Sequence, residues 1–132
     1  MFYNLKISTN KQTEFIDITS QVQKKISQSE ISDGVCVVFV PHTTAGITIN
    51  ENADPNVVKD ILMMFDKKIP MSDSDYRHSE GNSAAHIKAS ILGSSVSVII
   101  ENGKLQLGTW QGIYFCEFDG PRIREIWIKT IG

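Results

Sequence analysis

The sequence predicts an α+β domain with a mostly antiparallel sheet and three helices, and two observations lead to this prediction. Short apolar segments with strand character dominate the chain, and turn signals such as Asn102-Gly103 separate them. Segments with helical spacing interrupt the strands in clusters, which is typical of α+β proteins. No internal repeat or low-complexity linker is present, so we predict one domain over residues 1–132.

The first half of the chain is predicted to contain four strands and one helix. The strands are expected at residues 2–8, 14–18, 35–40 and 46–50. The helix begins near Thr19 as N-cap, because Ile18, Val22 and Ile26 form an apolar stripe at four-residue spacing. Residues 35–40 are an almost unbroken apolar run, which predicts a central strand covered on both faces.

The second half begins with two further helices. Asp54-Pro55 supplies an N-cap and a proline at the first helical position, and the helix that follows has one apolar face. After a long polar loop at residues 69–82, Ser83 is predicted to cap a third helix that ends at Gly93, with Ala84, Ile87 and Ile91 pointing inward. The remaining strands are expected at residues 96–100, 105–107, 111–118 and 122–131.

Composition excludes several functional classes. The net charge of −2 gives no positive field that would favour nucleic acid or an anionic membrane. The N-terminal residues lack the pattern of a signal peptide, and no apolar run approaches the roughly 20 residues that cross a bilayer. Cys36 and Cys116 lie in apolar runs, which favours two buried reduced thiols over a disulfide and predicts a cytoplasmic location.

The chain has three histidines, His42, His78 and His86, and none lies in an apolar run. One interpretation is that they converge as transition-metal ligands or as acid–base groups near pH 7. The alternative is three unrelated surface or capping histidines, because their spacing matches no short metal motif.

Several carboxylates are candidates for catalysis. Strand alternation predicts Glu117 and Asp119 on one face, where they would hold a divalent cation or act as an acid–base pair. The alternative is a strand that simply emerges into solvent. Glu51 ends a buried strand face and needs a partner there, so it is a better candidate than Asp54, which has a sufficient role as a helix cap.

A phosphate site is predicted where the polar loop meets the third helix. Free N–H groups and the helix dipole favour an anion there, and Gly81 allows its close approach. Thr43, Thr44 and Asn82 offer neutral hydrogen bonds, and Lys88 and Arg122 offer positive charge. A plain polar loop with a capped helix explains the same segment equally well.

Taken together, these segments resemble the YjbQ-type family. The residues that carry the resemblance are 41–55, 76–78, 81–82, 86–90, 110–113 and 117–122. The resemblance implies an α+β fold that assembles into a homotrimer, with polar sites near the subunit boundaries. It also implies a weakly characterised thiamine-phosphate synthase activity, in which a thiazole phosphate displaces pyrophosphate from a pyrimidine diphosphate. The site residues that it implies are His42, Glu51, His78, Asn82, His86, Lys88, Glu117, Asp119 and Arg122.

The residues leave the cofactor and the reaction open. Carboxylates such as Glu117 and Asp119 suit Mg²⁺, whereas three histidines suit Zn²⁺ or a similar ion. Two alternatives to the synthase therefore remain. One is a metal-dependent hydrolase or phosphoryl-transfer enzyme, and the other is a non-enzymatic trimer that holds a phosphorylated small molecule. For the trimer, alternation places Trp127 and Ile131 on one strand face and Ile126 and Ile128 on the other, and one of these two sets would need a partner subunit to cover it.

Overall fold

The computed structural model describes all 132 residues and contains eight strands and three helices, which confirms the predicted α+β class. The strands are β1 Phe2–Ser8, β2 Glu14–Asp17, β3 Gly34–Phe39, β4 Ala45–Glu51, β5 Ser95–Glu101, β6 Lys104–Leu105, β7 Gln111–Glu117 and β8 Ile123–Ile131. The helices are α1 Thr19–Ser29, α2 Pro55–Lys68 and α3 Ser83–Leu92. None of the helices is both long and apolar enough to cross a membrane.

The strands form two antiparallel sheets. The larger sheet has the order β1-β8-β3-β5-β6, and the smaller sheet has the order β2-β7-β4. The consecutive strands β1 and β2 therefore belong to different sheets. In the smaller sheet, Ala45 pairs with Glu117 and Glu51 pairs with Gln111, so the start of β4 lies beside the end of β7. This register brings two loops together at one edge of the sheet.

The main core lies between the two sheets and α1. Phe115 of β7, Ile128 of β8 and Ile26 of α1 are among its largest side chains. A second, smaller core lies on the other face of β7, where Tyr114, Cys116 and Phe118 pack against the small residues of α3. Strand β7 is therefore covered on both faces, and its far end is held rigidly.

The helix signals were largely correct. The side chain of Asp54 accepts a hydrogen bond from the N–H of Asn56 (2.9 Å), with Pro55 at the first helical position. For the other two helices the predicted N-cap is one residue too late, because Ile18 and not Thr19 precedes α1 and Asn82 and not Ser83 precedes α3. Gly93 ends α3 as predicted. Asn102 and Gly103 both have positive φ, as a tight hairpin turn between β5 and β6 requires.

Two predictions about burial were wrong. Strand β3 is covered on one face only, because Cys36 and Val38 are buried while Val35 and Phe39 are exposed on the outer face of the larger sheet. On α3, Ala84 is buried as predicted, but Ile87 and Ile91 are exposed. Helix α3 lies close to β4 and presents its alanines there, since larger side chains would hold the two backbones apart.

Candidate functional site

Three loops meet at the edge where β4 starts and β7 ends. The first loop connects β3 to β4, the second connects β7 to β8, and the third leads from the long polar segment into α3. The N–H of Phe118 donates to the carbonyl of Thr44 (3.2 Å), which ties the first two loops together. Because each loop leaves a rigid strand or enters a helix, the side chains at this edge are held in place.

The loops enclose a pocket of about 230 Å³ that has no apolar residue in its lining. We call it the polar pocket, and it is lined by Thr43, Thr44, His78, Glu80, Asn82, His86, Asp119 and Arg122. Seven of these eight residues were predicted as site residues from the sequence, and Glu80 was not. The structure therefore brings together residues that are up to 79 positions apart in the chain.

Asp119 organises one wall of the polar pocket. Its Oδ2 accepts hydrogen bonds from Nδ2 of Asn82 (2.9 Å) and from Nη2 of Arg122 (3.1 Å). Nε of Arg122 also donates to the backbone carbonyl of Asp119 (3.0 Å). The carboxylate charge is thus balanced within the wall, while the other N–H groups of the guanidinium remain available. Oδ1 of Asn82 is buried and has no hydrogen-bond partner.

A fully buried ion pair lies behind this wall. Glu117 accepts hydrogen bonds from Nε and Nη2 of Arg124, from the hydroxyl of Thr9 (2.8 Å) and from the N–H of Asp119 (3.0 Å). Nη2 of Arg124 also donates to Oγ1 of Thr44 (2.9 Å). The pair therefore fixes both Thr44 and Asp119, which line the polar pocket, without reaching the pocket itself.

The bonding around Glu117 bears on its predicted catalytic role. Burial alone would raise the pKa of Glu117, but hydrogen bonds from Arg124, Asp119 and Thr9 and the charge of Arg124 together lower it. Both oxygens of the carboxylate already have partners. A carboxylate that is fully bonded and does not reach the polar pocket acts as a structural group, so the predicted catalytic role of Glu117 does not fit its surroundings.

His78 and His86 form a pair at the mouth of the polar pocket. Their ring centroids are 5.2 Å apart and the rings are nearly perpendicular. His86 comes from the first turn of α3 and His78 from the long loop, so the pair joins these two segments. The predicted convergence of imidazoles is therefore correct for these two histidines.

His42 has a different role. Its Nε2 accepts a hydrogen bond from the backbone N–H of Glu125 (2.9 Å), where β8 extends beyond the end of β3. Burial and the nearby charge of Arg124 lower the pKa of His42. The side chain lines a neighbouring cavity, with His86 and Ser90, and not the polar pocket. His42 is thus a neutral acceptor that satisfies a backbone N–H of β8 beyond the end of β3.

The predicted metal site is wrong. No group of three or more His, Cys, Asp or Glu side chains is arranged so that it could hold a metal ion. Of the three proposed ligands, only His78 and His86 are paired, and Nε2 of His42 is already occupied by the Glu125 N–H. The carboxylates proposed for Mg²⁺ are bonded to Arg124 and Arg122. The donor set therefore fits neither Zn²⁺ nor Mg²⁺.

Three other predicted site residues lie away from the polar pocket. Glu51 is at the opposite end of β4, about 20 Å along the strand from Ala45, and its side chain accepts from the N–H of Asp54. The ammonium of Lys88 is buried and turned towards Asp66 (3.4 Å). Gly81 has positive φ (74°) and lines a separate cavity in the long loop.

Sequence reasoning missed Arg124, although the chain carries a signal for it. Arg124 shares strand parity with Ile126 and Ile128, so the alternation that buries these two side chains also buries the guanidinium. A buried charge requires a partner, and the acidic residues before the last turn are the nearest candidates. No comparable signal indicates Glu80, which is an exposed loop residue.

Comparison with known proteins identifies relatives over the whole chain. The family model described as "UPF0047 protein YjbQ-like" matches residues 3–132. The chain is 55% identical to UPF0047 protein YugU of Bacillus subtilis, over 100% of both chains. It is 54% identical to a UPF0047 protein of Methanocaldococcus jannaschii, over 100% of this chain and 95% of that protein.

Solved structures have the same fold. A crystal structure of an uncharacterised YjbQ/UPF0047 family protein from Clostridium acetobutylicum superposes with a TM-score of 0.95 at 60% identity, covering 98% of this chain and 99% of that one. A protein of unknown function from Sulfolobus solfataricus gives a TM-score of 0.94 at 37% identity, covering 100% and 96%. The family resemblance inferred from the sequence is therefore confirmed.

The predicted thiamine-phosphate synthase activity is wrong. The relatives are named as UPF0047 proteins, and the solved structures are described as uncharacterised or of unknown function. None of these names mentions a thiamine-phosphate synthase activity. The residues chosen for the synthase also disagree with the structure, since Glu117 is buried in an ion pair and Lys88 is turned away from the polar pocket.

Proposed function

We propose that this chain, which belongs to the YjbQ-like family UPF0047, binds the phosphate group of a small phosphorylated molecule in the polar pocket. One observation carries the proposal. Hydrogen-bond donors from three separate loops face a single pocket without apolar lining, and the pocket lies at the start of α3. Phosphate is a compact group with several acceptor oxygens, and such converging donors and helix N-termini bind it.

The donors differ in how free they are. Arg122 donates two hydrogen bonds to Asp119, and its guanidinium is half exposed. Its remaining N–H groups are therefore available to donate to an anionic ligand. Oγ1 of Thr44 already accepts from Arg124, which leaves its own hydrogen to donate. The hydroxyl of Thr43 makes no hydrogen bond within the protein, so it provides a second neutral donor next to Thr44.

Two acceptors of the polar pocket, Asp119 and Asn82, are consistent with a phosphate ligand. The carboxylate of Asp119 is neutralised by Arg122 and Asn82, and therefore does not repel an anion with its full charge. Oδ1 of Asn82 is buried without a partner, and a ligand hydroxyl or a bound water would satisfy it. The proposed ligand thus combines a phosphate with at least one hydrogen-bond donor nearby.

Calorimetric titration of the purified protein with inorganic phosphate and glycerol 3-phosphate tests the proposal. We expect both to bind, and we expect an Arg122→Met variant to lose about 10- to 100-fold in affinity, because hydrogen bonds to charged groups contribute about 1.5–3 kcal/mol each. A Thr43→Val variant removes one neutral donor and is expected to lose about fivefold.

Thr48→Val is the matched control for the second variant. Thr48 lies in the middle of β4 and lines none of the cavities, so its phosphate affinity should equal that of the wild type. Absence of binding at millimolar phosphate would refute the proposal. Equal losses in the Thr43 and Thr48 variants would also count against it, because they would indicate a general effect of losing a hydroxyl.

We also propose that the chain assembles as a homotrimer through the outer face of the larger sheet. Seven large, exposed apolar side chains share that face, and they are Phe2, Val35, Phe39, Ile99, Ile123, Trp127 and Ile131. The ring of Trp127 is 6.0 Å from that of Phe2 and 5.8 Å from that of Phe39. An aromatic cluster of this size on an open sheet face is typical of an interface.

Light scattering after size-exclusion chromatography tests the assembly. The expected mass is three times the 14.7 kDa of one chain. A Trp127→Glu variant should dissociate, because it places a charge in the proposed interface, whereas Trp110→Glu alters an exposed tryptophan outside the outer face and should remain trimeric. A monomeric wild type at micromolar concentration would refute the trimer.

The thiols support a reducing, cytoplasmic location. Cys36 and Cys116 are both buried and neither forms a disulfide. Burial raises the pKa of Cys36 to about 11 and that of Cys116 well above its usual range, so both remain protonated thiols. Fractionation of cells that express the protein from its own locus tests this, and recovery with secreted or surface proteins would contradict it.

A further inference from the structure

A second cavity adjoins the polar pocket on the side of the long loop. It has a volume of about 410 Å³, and its lining consists of Asp75, Tyr76, Arg77, His78, Ser83, His86 and Ile87. Its volume lies in the range of about 300–1,000 Å³ that is usual for small-molecule sites. We call it the loop cavity.

The loop cavity and the polar pocket differ in chemical character. The polar pocket exposes mostly oxygen and nitrogen atoms, whereas the loop cavity exposes mostly carbon, from side chains such as Tyr76 and Ile87. The hydroxyl of Tyr76 donates to the carbonyl of Pro70 (2.8 Å), so its polar end is already satisfied. Ile87 is 39% exposed, and the second, small core of the protein does not need it.

The two cavities share His78 and His86 as a common wall. Both rings line both cavities, and their centroids are 5.2 Å apart, so the two cavities are direct neighbours at the histidine pair. The paired histidines therefore lie between the polar pocket, which suits a phosphate group, and the loop cavity, which suits an apolar group.

We propose that the ligand is a phosphate monoester that carries a compact apolar group, with the phosphate in the polar pocket and the apolar group in the loop cavity. This inference rests on the phosphate binding proposed above and adds the class of molecule. Under this proposal, such esters bind more tightly than phosphate monoesters of polyols. The hydroxyl groups of a polyol would lose their hydrogen bonds to water where they contact Tyr76 and Ile87.

The test compares four probes by calorimetric titration at constant pH and ionic strength. They are inorganic phosphate, glycerol 3-phosphate, benzyl phosphate and benzyl alcohol. Each buried CH₂ group contributes about fourfold in affinity, so partial burial of the benzyl ring should make benzyl phosphate bind at least about tenfold more tightly than glycerol 3-phosphate. Benzyl alcohol should bind far more weakly than benzyl phosphate, because it lacks the phosphate.

Two isoleucines of α3 provide a matched pair of variants. Ile87→Ala removes apolar surface from the loop cavity and should reduce the preference for benzyl phosphate over glycerol 3-phosphate by about three- to tenfold. Ile91→Ala alters an exposed isoleucine of the same helix, one turn further on, that lines none of the cavities, and it should leave the preference unchanged. Neither variant touches the predicted phosphate donors.

The outcomes distinguish the two proposals. If the phosphates bind but benzyl phosphate is no tighter than glycerol 3-phosphate, the apolar class is refuted while phosphate binding stands. A benzyl preference that Ile87→Ala and Ile91→Ala reduce equally also refutes the loop cavity as its source. If no phosphate compound binds, the proposed function fails, and this inference fails with it.

Discussion

Removing the guanidinium of Arg124 should severely destabilise the protein. In an Arg124→Met variant the carboxylate of Glu117 would remain fully buried, with only Thr9 and the N–H of Asp119 as hydrogen-bond donors. The variant keeps most of the side-chain volume, so its effect reports the lost charge and hydrogen bonds and not a cavity.

The expected cost is about 3–5 kcal/mol in the free energy of unfolding, because an unpaired buried charge loses its hydration without compensation. Arg122→Met is the matched control. The ion pair of Arg122 with Asp119 has a half-exposed guanidinium, so its loss should cost no more than about 1 kcal/mol. Replacing both partners, with Glu117→Leu and Arg124→Met together, should recover much of the stability that Arg124→Met loses.

Guanidinium chloride denaturation at pH 7, at one fixed protomer concentration, measures these differences. In the wild type, the lowered pKa of Glu117 contributes stability that is present above its ordinary value of 4.5 and is lost as the pH falls through the folded value. In Arg124→Met, burial without the arginine favours the protonated acid. The stability gap between the two proteins should therefore narrow as the pH falls below 4.5. Equal costs for Arg124→Met and Arg122→Met at pH 7 would refute the reasoning.

Three further predictions concern His42, the main core and the two thiols. Because the pKa of His42 is lowered on folding, its contribution to the free energy of unfolding is present above the ordinary value of 6.5 and is lost as the pH falls below it. A His42→Gln variant should therefore show a smaller change in the free energy of unfolding between pH 7 and 5 than the wild type. An unchanged pH dependence would contradict the role of His42 as a neutral acceptor. Phe115→Ala should lower the free energy of unfolding by about 3–5 kcal/mol, because Phe115 is fully buried in the main core. Trp110→Ala, at a 63% exposed residue, should change it by less than about 0.5 kcal/mol. Similar losses in the two variants would show that the main core is wrongly assigned. Cys36 and Cys116 should resist iodoacetamide at pH 8 in the native protein and react fully in denaturant, and rapid native labelling of either thiol would contradict their burial.

Local signals in the chain predicted most of the helices and strands. Asp54-Pro55 marked the start of α2 and Asn102-Gly103 marked the hairpin, because each signal depends on the backbone geometry of only two residues. The alternation on β8 correctly separated Ile126 and Ile128 from Trp127 and Ile131, but it did not say which of the two faces is buried. Where the outcome depended on which layer covers a face, the sequence was insufficient, and the apolar run of β3 was wrongly expected to be covered on both faces.

For the site, the sequence identified most of the residue types but not their arrangement. It marked Thr43, Asn82 and Arg122 as polar residues at strand ends and a helix start, and the pairing of Ala45 with Glu117 brings them together. The same pairing carries Glu51 to the far end of β4. A residue's distance from the pocket depends on register, which local sequence specifies only weakly.

By itself, the sequence determined the elements, the family and the set of polar side chains, because helix caps, turn residues and strand alternation act over a few neighbouring positions. Only the tertiary structure decided which of those side chains are accessible. Glu117 and Asp119 are two residues apart and were predicted to share a strand face, yet β7 ends at Glu117, which is fully buried against Arg124, while Asp119 in the following loop lines the polar pocket. That difference arises from packing between segments that are distant in the chain. This packing determines which carboxylate is buried beside an opposite charge and which is exposed to solvent.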